Sequence, residues 1–264
     1  MKKQVLLLIL ATGLLIACGN NSTNAPTSTG HFTDEQLATH DKLLSKQQFQ
    51  SPVSIALAIL NDITGSYRLN PESLDFDVLY KAMPSCPGRV VLAYGHINED
   101  SYDPLIRLNH IPQLLIETPK SNKKINPWIQ SETMFDNNVY NHVNTAIDSL
   151  NKASLAIFSS KVADKLNRNT ARRSDVVFAL KRASTLLNEF SGCPRFLIVC
   201  SDFKDTFGRS MNLDSSINLY VVGSNVDSRD VKAATGIGSG YRLFESYEEA
   251  LHQISQQYMY NLKK

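Results

Sequence analysis

Residues 53–60 read Val-Ser-Ile-Ala-Leu-Ala-Ile-Leu, a nearly continuous apolar run that ends at Asn61 and Asp62. Because the run is continuous instead of alternating, it predicts a strand whose two faces are both covered. Strands of this kind occur in parallel sheets that carry helices on each side. This stretch therefore predicts the central strand of an α/β fold.

Further predicted strands and helices alternate along the chain. Apolar runs predict strands at 89–97, 105–116, 195–200, 217–222 and 241–244, and helical spacing predicts helices at 70–84, 139–162, 175–190 and from 250 onward, with 119–133 irregular. The long helix is expected to bury Val139, Val143, Ile147, Leu150, Ile157 and Val162. The pattern predicts a Rossmann-like, mostly parallel central sheet flanked by helices, with strands 89–97 and 195–200 on either side of 53–60.

The N-terminus has the pattern of a secretory signal. Lys2 and Lys3 precede an apolar run that ends Leu15-Ile16-Ala17-Cys18, and this run is shorter than the about 20 residues that a membrane span needs. The ending resembles the lipobox of bacterial lipoproteins, which implies that residues 1–17 are removed and that Cys18 carries lipid. The polar, uncharged residues 19–30 predict a flexible tether, so we expect a tether over 18–34 and one domain over 35–264.

Composition narrows the function classes. A net charge of +2 gives no reason to expect nucleic acid as a partner, and after the signal no stretch is apolar enough to cross a membrane. Cys86, Cys193 and Cys200 show no Cys-x-x-Cys spacing, so zinc is not indicated.

Two of the predicted central strands end in an aspartate, Asp62 and Asp202. Ligands of open α/β sheets bind at the carboxyl ends of the strands, so these carboxylates are expected to lie close together. Thr64 and Ser66 follow Asp62 at alternate positions and add two hydroxyls. An oxygen-only set on a compact loop predicts a hard divalent cation such as Mg²⁺ or Mn²⁺, with Asp62 acting through water and the two hydroxyls coordinating directly.

The stretch Asp62-Ile-Thr-Gly-Ser66 resembles the metal-ion-dependent adhesion site of von Willebrand factor A-like domains, whose pattern is D-x-S-x-S, then a distant Thr and a distant Asp. The distant hydroxyl matches Ser174 in S-D-V-V-F-A-L, and the distant aspartate matches Asp202 in S-D-F. Phe203 stands where the family often has glycine and is the clearest departure. The resemblance covers about residues 50–260.

The resemblance implies a binding module and not an enzyme. The cation would keep one coordination position open, and a Glu or Asp carboxylate of a protein partner would complete it, so no small-molecule substrate is expected. Two alternatives remain at this point. One is a structural envelope lipoprotein whose metal site is vestigial or stabilising. The other is a haloacid dehalogenase-like phosphohydrolase with Asp62 as nucleophile, although Thr64 occupies the place of its second aspartate.

Cys86 and Cys193 lie in similar contexts, each just before a predicted strand. An oxidising envelope permits a disulfide between them. Strands two places apart in a sheet are separated by about 9.6 Å, whereas a disulfide needs Cα atoms within about 7 Å. Both alternatives remain, and two free buried thiols are favoured.

Gly19 lacks the aspartate that favours inner-membrane retention, so we expect an outer-membrane location facing the periplasm.

Overall fold

The computed structural model describes residues 33–64, 76–99, 101–116, 127–166, 171–223 and 226–259, with the backbone alone for 127–136. The chain divides into two compact units, residues 1–35 and 36–264, and the strands named below belong to the second. The predicted signal peptide, and the tether up to residue 32, lie outside the described residues.

The described elements alternate between strands and helices. The strands are β1 Val53–Asp62, β2 Arg89–Ile97, β3 Ile106–His110, β4 Arg195–Cys200, β5 Ile217–Val222 and β6 Arg242–Phe244. The helices are α1 Asp34–Phe49, α2 Asp77–Ala82, α3 Pro127–Leu166, α4 Val176–Asn188, α5 Ser228–Thr235 and α6 Tyr247–Ile254; a 3₁₀ turn, Met83–Ser85, follows α2 and a π-helical turn, Ser255–Met259, follows α6.

The strands form one mixed sheet in the order β3-β2-β1-β4-β5-β6. All neighbouring pairs are parallel except β2 with β3, which is antiparallel. The predicted α/β class, a mostly parallel sheet flanked by helices, is therefore confirmed. β2 and β4 flank β1 as expected, which places the ends of β1 and β4 side by side.

The continuous hydrophobicity of β1 reflects the two layers that cover it. Ile55, Leu57 and Ile59 pack in one layer with residues of α2, α3 and α6. Ala56, Ala58 and Leu60 pack in the other with residues of α4 and α5. Because neither face meets water, the sequence has no polar alternation along this strand.

Helix α3 differs from the prediction at its start and on its buried face. It begins at Pro127, within the stretch predicted to be irregular, because proline fits the first turn of a helix. Ile157 is 57% exposed, whereas Phe158 is buried. Successive residues are rotated by about 100° around the helix axis. The buried stripe that contains Val143 and Ile147 therefore continues through Phe158 and leaves Ile157 outside.

Strand β3 is shorter than predicted, and a side chain on α3 accounts for its end. The Asn151 side chain accepts a hydrogen bond from Ile111 N at 2.9 Å and donates one to Ile111 O at 2.9 Å. Pro112 has no N–H to continue a strand. A buried asparagine on the apolar stripe thus replaces the sheet partner of Ile111.

Candidate metal centre

Asp62 is the last residue of β1 and is 1% exposed. Its Oδ1 accepts hydrogen bonds from Thr64 N at 2.9 Å and from Thr64 Oγ1 at 2.6 Å. Its Oδ2 accepts one from Ser201 Oγ at 2.6 Å. Three donors hold the carboxylate in place, yet among the described residues no Lys, Arg or His lies within ion-pair distance of it.

The electrostatic environment of Asp62 opposes its charge. Burial raises the pKa of its carboxyl from the ordinary value of 3.8, the hydrogen bonds from Ser201 and Thr64 lower it in part, and the charge of Asp202 raises it further. A buried carboxylate without a cationic partner is costly. A divalent cation between Asp62 and Asp202 would offset both charges.

Ser174 reaches the same point from the start of α4. Its Oγ donates to Thr64 Oγ1 at 2.8 Å, and the side chain is buried. Asp175, and not Ser174, is the N-cap of α4, since its carboxylate accepts from Phe178 N. The Ser174 hydroxyl is thus directed toward the end of β1.

Hydrogen bonds at Ala171 and at Thr206 fix these segments in position. Ala171 N donates to Ile63 O at 3.2 Å, and Thr64 forms a parallel bridge with Ala171. Thr206 N donates to Ser174 O at 3.0 Å, while Thr206 Oγ1 accepts from Ser174 N at 3.1 Å. The ends of β1 and β4 and the start of α4 therefore meet at one edge of the sheet.

Asp202 follows β4 and is 6% exposed. Its Oδ1 accepts from Lys204 N at 3.1 Å, and its Oδ2 lies 3.8 Å from Lys204 Nζ, on a side chain that is 65% exposed. An exposed lysine at this distance gives a weak ion pair. The Asp202 carboxylate is thus available to a cation.

Phe203 has a left-handed backbone conformation, which glycine adopts more readily than other residues. Its φ is +61°, and its side chain is buried among residues of the α4 layer. A non-glycine residue in this region is strained by about 1–3 kcal/mol. The turn after Asp202 is therefore left-handed although Phe203 is not a glycine, and the burial of the ring offsets the strain.

Sequence reasoning did not assign a role to Ser201. Its side chain is fully buried, its Oγ donates to Asp62 Oδ2, and the same Oγ accepts from Phe203 N at 3.0 Å. Ser201 therefore connects the carboxylate at the end of β1 to the turn after β4. The available signal was the Ser-Asp pair itself, in which a hydroxyl directly precedes the predicted ligand.

The side-chain oxygens that could coordinate an ion at this site suit a hard divalent cation. They are carboxylates of Asp62 and Asp202 and hydroxyls of Thr64 and Ser174, all of them buried oxygens. Ser66, the fifth predicted ligand, lies outside the described residues. The part of the chain that the structure describes has no cluster of three or more His, Cys, Asp or Glu side chains, so any cation here depends on the hydroxyls. Metal binding by these residues remains a prediction.

Three cysteines lie among the described residues. Cys86 packs in the core layer that contains α2 and α6, whereas Cys193 packs against the layer that contains α4, so the two lie on opposite faces of the sheet. Both are free thiols, as is Cys200, which is buried. Burial raises the pKa of Cys86 to about 11. Cys18 lies outside the described residues.

No protein-family model and no curated protein matches the sequence. Solved structures match at low identity. The mussel byssus proximal thread matrix protein 1 "with zinc occupied MIDAS motif" has a TM-score of 0.39 and 11% identity over 80% of this chain and 46% of that chain. The pilus adhesin SpaC of Lactobacillus rhamnosus GG has a TM-score of 0.40 and 12% identity over 82% of this chain and 32% of that chain.

A third similar structure is an aerotolerance-related membrane protein from Bacteroides fragilis NCTC 9343, with a TM-score of 0.36 and 11% identity over 79% of this chain and 100% of that chain. This chain spans less than half the length of the first solved structures that it matches. At these identities the similarity concerns the fold alone. Among the described residues, no helix has the length and apolar character required to cross a membrane.

Proposed function

We propose that residues 35–264 are a von Willebrand factor A-like binding module that holds Mg²⁺ or Mn²⁺ and recognises a carboxylate of a protein partner. The observation that supports this most directly is the buried carboxylate of Asp62, which accepts three hydrogen bonds yet has no cationic partner among the described residues. A divalent cation would balance that charge, which burial opposes.

The proposed ligands are Asp62, Thr64, Ser66, Ser174 and Asp202. The hydroxyls of Thr64, Ser66 and Ser174 coordinate directly, and Asp62 acts through water while it orients Thr64. When bound, the cation supplies a positive charge and a coordination position for the partner's Glu or Asp. The buried Ser201 hydroxyl keeps Asp62 in position from the side of β4.

A binding role is favoured over the phosphohydrolase alternative by the state of Asp62. A nucleophilic carboxylate needs a free oxygen that a substrate can reach. Both oxygens of Asp62 already accept hydrogen bonds, and the residue is 1% exposed. Thr64, where that mechanism needs an acid/base group, donates to Asp62 instead.

We further propose that Cys18 is lipid-modified and anchors the domain to the cell envelope, at the outer membrane facing the periplasm. Two or three acyl chains give stable attachment where one does not. Mass spectrometry of the mature N-terminus should find a lipidated Cys18, and Cys18→Ser should leave the precursor unprocessed. A mature N-terminus that begins at an unmodified residue other than Cys18 would rule out the anchor.

Affinity capture with the full chain from detergent-solubilised native membranes tests partner binding. We expect the same partner with the parent and with Asp164→Asn, a matched change at an exposed residue of α3, whenever Mg²⁺ is present. The partner should be lost when a chelator is added and in Asp62→Asn. Recovery of the same proteins in all four conditions would contradict metal-dependent binding. If Mg²⁺ raised the free energy of unfolding but no protein were captured in its presence, the structural alternative would be favoured.

A further inference from the structure

A groove of about 380 Å³ lies between the segment that leads into β3 and the last three turns of α3. Its apolar surface comes from Leu105, Ile106, Ile157 and Phe158, and its cationic groups include Lys161 and Lys165. This volume is in the range of pockets that bind small molecules. The groove lies outside the candidate metal centre and shares no residue with it.

Lys165 is a buried ammonium whose contacts are long. The residue is 9% exposed, and its Nζ lies 3.4 Å from Asp103 Oδ2 and 3.5 Å from Pro104 O. An ammonium has three donors, and both contacts are at the limit of a hydrogen bond. The Lys165 side chain can therefore donate a shorter bond to an anion in the groove.

The mouth of the groove combines an exposed apolar side chain with a second cation. Ile157 is 57% exposed, although its neighbour Phe158 is buried. Lys161 follows Ile157 by one helical turn, and among the described residues it forms no ion pair. A ligand with a negative head and an apolar tail would cover Ile157 and approach both lysines.

We propose that this groove binds a soluble carboxylic acid with a single apolar tail, such as a medium-chain fatty acid. Lys165 and Lys161 hold the carboxylate, and Ile106, Ile157 and Phe158 contact the tail. The two lysines outnumber the one acid, Asp103, that lines the groove, so an anion is preferred to a cation. A groove of this size does not accept the paired tails of a membrane lipid, each of which spans about half of a 30 Å hydrocarbon layer.

The test is methyl NMR of the isoleucine-labelled full chain, titrated with decanoate below its micelle concentration. The Ile106 and Ile157 methyl signals should shift and saturate. Decanol, which has the same tail and no charge, should bind about tenfold more weakly, as expected when a hydrogen bond to a charged group is lost.

Variants locate the site. Lys165→Met should weaken decanoate binding about tenfold, whereas Lys152→Met, the same change on α3 at a lysine that pairs with Asp148 outside the groove, should leave it unchanged. Ile157→Asn, at an exposed position that should not disturb folding, should weaken binding as followed by Ile106. The proposal would be overturned if decanoate and decanol bound equally, or if Lys165→Met and Lys152→Met bound decanoate equally. It would also be overturned if a parallel titration with vesicles of anionic phospholipid shifted the isoleucine signals and decanoate did not.

Discussion

The hydroxyl of Ser174 donates to the hydroxyl of Thr64 at 2.8 Å, although the two residues are 110 positions apart in the sequence. This bond joins the loop after β1 to the start of α4, and Thr64 passes the connection on by donating to Asp62. A chain of hydroxyls thus ends on the buried carboxylate that the proposed cation would neutralise.

Ser174→Ala should lower Mg²⁺ affinity by about tenfold or more, because it removes one coordinating hydroxyl and the bond that orients another. Ser174→Thr keeps the hydroxyl that the related pattern usually has, so its affinity should stay close to that of the parent. Calorimetric titration of both variants checks this pair. Equal affinities in Ser174→Ala and the parent would exclude Ser174 from the ligand set.

Ser201→Ala should also weaken metal binding, although Ser201 is a positioning residue and not a predicted ligand. The change removes the hydrogen bond to Asp62 Oδ2 and leaves Phe203 N without its acceptor. We expect a stability loss of about 1–3 kcal/mol together with an affinity loss of about tenfold. Urea unfolding and metal titration measure the two effects separately. A loss of stability with unchanged affinity would give Ser201 a purely structural role.

Phe203→Gly tests whether the left-handed turn after Asp202 is limited by strain or by packing. Glycine relieves about 1–3 kcal/mol of strain at φ +61°, but removal of a buried phenyl ring costs about 3–5 kcal/mol. The free energy of unfolding should therefore fall, by up to about 4 kcal/mol, measured by urea unfolding. An increase in stability would mean that strain outweighs packing at this position.

His110 should make the fold less stable as the pH falls. Burial lowers its pKa from 6.5 to about 4, an effect that the Asp148 charge opposes in part. Between these values the unfolded chain binds a proton on His110 that the folded chain does not, so the stability contributed above pH 6.5 is lost on acidification.

His110→Leu should accordingly lose about 1–2 kcal/mol less than the parent between pH 7 and pH 5, measured by urea unfolding at both values. The raised pKa of Asp62 makes the fold more stable as the pH falls, which opposes the effect of His110. Both chains contain Asp62, so its effect cancels when their stabilities are subtracted. Parallel pH profiles for the parent and His110→Leu would show that the pKa of His110 is the same in the folded and the unfolded chain.

The central part of the fold was predictable because both faces of its strands are covered. β2, β4 and β5 have the bounds that their largely apolar runs predict. The end of β3 was not predictable, because it depends on Asn151, a residue 40 positions further along the chain. The exposure of Ile157 also depends on how α3 rotates against the sheet, which spacing alone does not determine.

For the candidate site, the proximity of the predicted residues was easier to anticipate from the sequence than the hydrogen bonds that connect them. The structure brings together Asp62, Thr64 and Ser174, as the spacing of the motif suggests. The role of Ser201 depends on the side-by-side packing of β1 and β4, so it emerges only in three dimensions. The left-handed turn at Phe203 was hidden because a large residue occupies a position that usually requires glycine.

The most direct test of the central claim is calorimetric titration of Mg²⁺ and Mn²⁺ into the full chain, its Asp62→Ala variant and the matched Asp164→Ala control. The parent and the control should bind one divalent cation with equal affinity. Asp62→Ala should bind at least about a hundredfold more weakly while it keeps a cooperative urea transition, because the apolar core does not depend on that carboxylate. Equal cation affinity in the parent and in folded Asp62→Ala would contradict the metal site and the proposed binding function with it.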